Sequence, residues 1–157
     1  MVPADRNIVL EIQDICAVEA DPDRVFQVLA NLVVNAVRHG AGTISVTVRR
    51  DGACGVLEVS DEGGGVPTNR LEELFKPFSH WGGHSDSSGL GLAIARGIIE
   101  SHGGSLHYRQ HTDVRQHAFE VRLPLLDTEI SLSPLGDHAA AGRASSTDDA
   151  PRYAVGE

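Results

Sequence analysis

The stretch ADPDRVFQVLANLVVNAVRHG, residues 20–40, carries the reading of the fold. Asp21 is placed to cap a helix, and Pro22 suits its first position, where no backbone N–H is needed. Val25, Val28, Leu29, Leu32, Val33 and Ala36 recur at helical spacing, and Gly40 suits the stop. One face of this helix is therefore made for a core. Asn31 and Asn35 share another face, with Arg38 and His39 one turn further on. Asn is a mediocre helix former and costly to bury unpaired. That face either lines a polar cavity or sits hydrogen-bonded and half-exposed at the surface. In a cavity, carboxamide oxygens can ligate a hard cation such as Mg2+, with phosphate and water completing the shell.

Working outward, NIVLEIQDI (7–15) alternates as a strand, and TISVTVRR (43–50) and VLEVSD (56–61) form a hairpin about the turn DGACG. DEGGGVP cannot extend that hairpin and is a loop. A short helix, NRLEELF, leads into the polar KPFSHWGGHSDSS. GLGLAIARGIIESHGG is a second long helix with glycines at both ends, and SLHYRQ (105–110) and HAFEVRLP (117–124) close a last hairpin. This order predicts an α+β two-layer sandwich, a mixed, mostly antiparallel sheet with helices on one face. Periodicity ends near Leu126, so residues 1–126 are expected to form the domain and 127–157 a disordered tail.

A chain of 157 residues can bury a real core, and with only 4% aromatics that core is expected to be Val, Leu, Ile and Ala. A formal charge of -9 with scattered arginines argues against a nucleic-acid partner. No apolar run approaches the roughly 20 residues of a membrane span, and MVPADRNIVLEIQDI lacks the layout of a signal peptide. A cytoplasmic protein without membrane contact is the expectation. Cys16 and Cys54 match no metal spacing, and read as two buried free thiols or as a disulfide.

Three further stretches carry chemistry. Asp61 ends a strand where its carboxylate can project into a pocket, and Gly63, Gly64 and Gly65 let a ligand approach the backbone; alternatively this is an acidic turn. In SSGLGLAIA, Gly89 and Gly91 bracket the start of a helix whose free N–H groups suit phosphate, unless Ser88 merely caps it. In LFKPFSHWGG, Phe75 and Phe78 either plug a local core or anchor a loop that closes over a ligand.

In this order NLVVNAVRHG, DEGGGVP, LFKPF and GLGLAIA resemble the N box, first glycine box, F box and second glycine box of the catalytic ATP-binding domain of sensor histidine kinases. That domain has the Bergerat fold, shared with gyrase and mismatch-repair ATPases. The resemblance covers roughly residues 5–125. It implies ATP and Mg2+ as the bound species. Asn35 would ligate the metal, Asn31 would sit beside the triphosphate, and Arg38 would contact phosphate, the three making up the catalytic set. His39 would lie near the nucleotide. Asp61 would accept the adenine amino hydrogen bond, with Gly63, Gly65 and Val66 shaping the base pocket. Ser88, Gly89, Leu90, Gly91 and Leu92 would hold the phosphates, Phe78 would flank the site, and residues 79–88 would form a lid.

Superfamily members that hydrolyse ATP or phosphorylate serine carry Glu four residues before the metal-binding Asn, as general base. Here that position is Asn31, which takes no proton, so the resemblance favours a neutral histidine nitrogen as acceptor. It disfavours an anti-sigma-type serine kinase and an autonomous ATPase. Two features depart from the pattern. Ser87 stands where the second glycine box usually has a further glycine, and none of the eight histidines is followed by Asp or Glu, as a phosphoacceptor usually is. The acceptor is therefore expected on a separate dimerisation domain or protein, with a response regulator downstream. The initiating Met and the tail favour a natural split kinase over a fragment of a longer one. A nucleotide-binding docking module without transfer is the alternative raised by Ser87 and the missing acceptor.

Overall fold

The computed structural model describes residues 6–79, 89–111 and 116–126, and the tail expected at 127–157 lies outside them. Five strands, β1 (Ile8–Ile12), β2 (Ile44–Asp51), β3 (Cys54–Asp61), β4 (Ser105–His111) and β5 (Gln116–Pro124), form one sheet in the order β1-β2-β3-β5-β4. β1 runs parallel to β2, and the other pairs are antiparallel. Two α-helices, α1 (Pro22–His39) and α2 (Gly91–Ser101), and a 3-10 helix (Thr68–Glu73) accompany them.

Helix α1 begins where its sequence dictates. The Asp21 carboxylate accepts from the N–H groups of Asp23 and Arg24 at 2.9 and 3.3 Å, with Pro22 in the first turn. Val28, Leu32 and Ala36, four residues apart, are its buried line. At the far end the Arg6 guanidinium donates to the carbonyls of Ala36, at 2.6 Å, and Gly40, where the negative end of the helix dipole favours a cation. His102 ties the two helices together. Its Nε2 accepts from the Asp21 N–H at 3.2 Å, and its Nδ1 lies 2.8 Å from the Ile98 carbonyl.

Register sorts the sheet into two faces. Val46 lies beside Val59, Val59 beside Phe119, and Phe119 beside Tyr108; Leu57, Val121 and Leu106 form the next row. With Ile44, Leu123, Ala95 and Ile99 these build the core beneath the helices. The core is mostly Val, Leu, Ile and Ala, with Phe119 as an aromatic centre. Phe75 meets Phe119 edge-on at 6.3 Å and carries the Arg96 guanidinium over its ring at 5.4 Å, so it is a core plug. β1 lies outside the cluster: Ile8, Leu10 and Ile12 pair with Ile44, Val46 and Val48, yet stay more than half exposed. Cys16 and Cys54 are free thiols, half-buried rather than buried.

The other sheet face gathers arginines that are scattered in sequence. Glu120, 1% exposed, accepts from Arg109 at 2.7 Å, Arg49 at 3.1 Å and Arg122 at 3.4 Å. Arg122 also pairs with Asp51 at 2.8 Å. The Arg122 hydrogen bond, then its charge, holds the Asp51 carboxyl below its ordinary value. A depressed carboxyl pKa stabilises the fold above the unfolded value and stops doing so as pH falls through the folded one, so this contribution is present at neutrality and lost in acid. Glu120→Gln should cost about 2 kcal/mol, between the values for exposed and buried pairs because the arginines keep part of their hydration. Thermal denaturation should show a fall of roughly 8 °C; an unchanged midpoint would remove the network from the account of stability.

Candidate functional site

Where α1, α2, the β3–β5 end and the glycine-rich loop meet, they enclose a cavity of about 460 Å3, within the range of small-ligand sites. Its lining includes Asn31, Asn35, Arg38 and His39 from α1, Asp61, Gly65 and Val66 from β3 and its loop, and Gly89, Gly91 and Leu92 at the start of α2. Ten of the residues singled out in sequence thus share one concave surface. The amide face of α1 lines this cavity, with Asn31 and Asn35 half-buried and Arg38 and His39 exposed.

Each side chain has a structural reason to be there. The Asn31 amide donates to the Gly91 carbonyl at 3.2 Å, a link across 60 residues that holds α1 against the start of α2. Asn35, one turn on, reaches the same cavity with its carboxamide engaged by none of the described residues. Leu90 stands at the cap position of α2, and its apolar side chain offers no cap. Among the described residues no side chain caps the first N–H groups of α2, which lie at the positive end of the dipole. Gly89 has φ +63 and packs where a Cβ would come within 3.0 Å of the Phe78 and Ser79 backbone; Phe78 N–H donates to its carbonyl at 3.1 Å.

At the opposite end Asp61 is 7% exposed. Its Oδ1 accepts from the N–H groups of Gly63 and Ala41 at 2.8 and 3.2 Å, and its Oδ2 lies 3.0 Å from His117 Nε2. A Cβ on Gly40 would stand 2.3 Å from the Asp61 carboxylate, so only glycine lets that carboxylate in. Tyr108 supports the floor: its hydroxyl accepts from the Val66 N–H at 2.7 Å. Burial, the largest cause, pushes the phenol above its ordinary value, the Val66 bond opposes this, and the Asp61 charge adds to it. The phenol stays neutral at physiological pH.

Of the other residues singled out, Gly63 acts through its N–H on Asp61, and Leu90 occupies the cap position of α2, neither lining the cavity. Phe78 also stands outside it, 68% exposed. Ser88, Ser87 and the expected lid, apart from Ser79, lie outside the described residues. Sequence reasoning missed His117, Tyr108 and Phe119, which also line the cavity. Their only local signal is alternation in a strand, and the register that brings them to Asp61 is not written locally.

The family described as "Histidine kinase-, DNA gyrase B-, and HSP90-like ATPase" matches residues 20–127. Sensor histidine kinase ZraS of Salmonella typhimurium is 38% identical over 112 residues, covering 69% of this chain and 23% of that protein. Sensor protein TorS of Escherichia coli is 38% identical over 111 residues, covering 70% and 12%. The chain thus spans about a quarter or less of the curated relatives it matches. Among solved structures, the catalytic domain of histidine kinase ThkA superposes with TM-score 0.65 at 30% identity, covering 76% of this chain and 78% of that one. Full-length ShkA in complex with AMPPNP gives 0.66 at 27% identity, covering 76% and 26%.

Proposed function

Because the chain belongs to the histidine kinase-, DNA gyrase B- and HSP90-like ATPase family, we propose that it binds Mg-ATP and passes the γ-phosphoryl group to a histidine on a separate dimerisation domain or protein, in two-component signalling. The observation that carries this reading is the cavity itself. It joins a buried carboxylate at one end to two α1 carboxamides and a helix start that no described side chain caps at the other.

That polarity suits a nucleotide. Asp61, held by three donors, can accept from a base amino group, whereas a guanine oxo group there would face a carboxylate. Arg38 and the first N–H groups of α2 are placed for phosphate. The donor set fits a hard cation held partly by its ligand: Asn35 offers one carboxamide oxygen, and among the described residues no cluster of His, Cys, Asp or Glu forms an all-protein site. Bound there, Mg2+ would neutralise charge on the phosphates.

Asn31 takes no proton, and its amide is committed to Gly91. The acceptor must supply its own lone pair. A neutral imidazole nitrogen does so, forming the P–N bond as the bond from the γ-phosphorus to the bridging oxygen breaks and ADP leaves. A response regulator would then take the phosphoryl group from that histidine.

The test is transfer from radiolabelled Mg-ATP to a histidine-bearing helical-hairpin protein. The expected product is an acid-labile phosphoprotein. Acid-stable label on serine would overturn the reading, and nucleotide binding without transfer to any histidine acceptor would leave a docking module instead.

A further inference from the structure

Asp61 and His117 sit directly opposite each other on β3 and β5, and both are 7% exposed. A carboxylate offers about four lone-pair sites. The backbone N–H groups of Ala41 and Gly63 take two on Oδ1, and His117 Nε2, at 3.0 Å, takes one on Oδ2. One site is left, on Oδ2, in a cavity that both residues line. A nitrogen facing a carboxylate at this distance carries a proton, which makes Nε2 the donor to Asp61.

The ring has little freedom to turn away. It lies against Tyr108, with centroids 6.0 Å apart. On another side it faces the backbone at Gly65, so close that a side chain there would crowd its Cγ and Nδ1. Tyr108 is in turn pinned by its bond to Val66. The imidazole is a donor to Asp61 in the lining of the pocket.

We propose that His117 is a base-selecting positioning residue: it acts through Asp61, presenting a single acceptor site to the nucleobase and so favouring a purine with a donor edge over one with an oxo edge. This rests on the nucleotide reading above. Losing His117 frees Oδ2 to turn or to take up water, and the carboxylate can then adapt to a second base. Losing it should cost affinity for the adenine ligand about tenfold, the effect of one hydrogen bond to a charged group. Selectivity should fall by a similar factor.

The experiment measures calorimetric binding of adenylyl imidodiphosphate and its guanine counterpart, each with Mg2+, to the full chain and to His117→Leu and His117→Gln. The unaltered chain should prefer the adenine ligand. His117→Leu should lose most of that preference, and His117→Gln, whose amide can donate from nearly the place of Nε2, should keep it. Should His117→Leu fail to fold, His117→Asn, polar but too short to reach Oδ2, takes its place with the same expected loss. A preference unchanged in the Leu or Asn variant, or equal weakening toward both ligands, overturns the proposal and leaves the nucleotide reading standing. Binding of neither ligand by the unaltered chain overturns both.

Discussion

Asn35→Ala should abolish the Mg2+-dependent part of nucleotide binding and lower phosphotransfer at least roughly 100-fold, the scale for losing one preorganised electrostatic group. Of the two α1 carboxamides, that of Asn31 donates its amide N–H to the Gly91 carbonyl, while that of Asn35 is engaged by none of the described residues. The substitution removes no contact of the core, and alanine is the better helix former by about 0.5 kcal/mol, so the fold should persist. Lost activity would then report on the ligand. Calorimetry with Mg2+ and with chelator, beside acid-labile label on an acceptor, measures both parts. Wild-type magnesium dependence in the variant would remove Asn35 from the metal site.

Gly40→Ala should lower nucleotide affinity by more than about 100-fold and cost roughly 2–3 kcal/mol of stability, as overpacking does. The backbone at Gly40, φ -84 and ψ -174, is open to any residue, so torsion is not the reason. Space is. The added carbon would lie 2.3 Å from the Asp61 Cγ and Oδ1 and 2.6 Å from the Ala36 carbonyl. Neither can give way readily, since Asp61 is held from three sides and the Ala36 carbonyl takes the Arg6 guanidinium and the Gly40 N–H. Asp61→Asn is the control. It keeps the shape, and its amide can donate to His117 in the other tautomer, so denaturation should change little while adenine affinity falls about thirtyfold. Equal ATP affinity in Asp61→Asn would take Asp61 out of base recognition, and full binding by Gly40→Ala would show that the carboxylate is free to move.

Much of the frame could be read from short stretches. Asp21, Pro22 and the spacing of Val28, Leu32 and Ala36 determine where α1 starts and which side it buries, because capping and helical period act within a few residues. The two hairpins and the loop after Asp61 were legible for the same reason. The site was legible in part: the residues from α1, from the DEGGGVP loop and from the start of α2 are adjacent within their own motifs, and ten of them line one cavity. Phe75 and Phe78 are the instructive pair. Three residues apart in one motif, they differ in burial, because Phe75 meets Phe119 and Phe78, at φ +62, turns outward.

Alone, the sequence determined the helices, the hairpins and the order of four nucleotide-type motifs, all set by interactions spanning a handful of residues. Only the tertiary structure decided that His117 faces Asp61 across 56 positions, that Asn31 reaches Gly91, and that three arginines converge on Glu120. Those pairings depend on strand register and on how α1 and α2 pack over the sheet. Both are set by the fit of the whole core, and no local pattern records them.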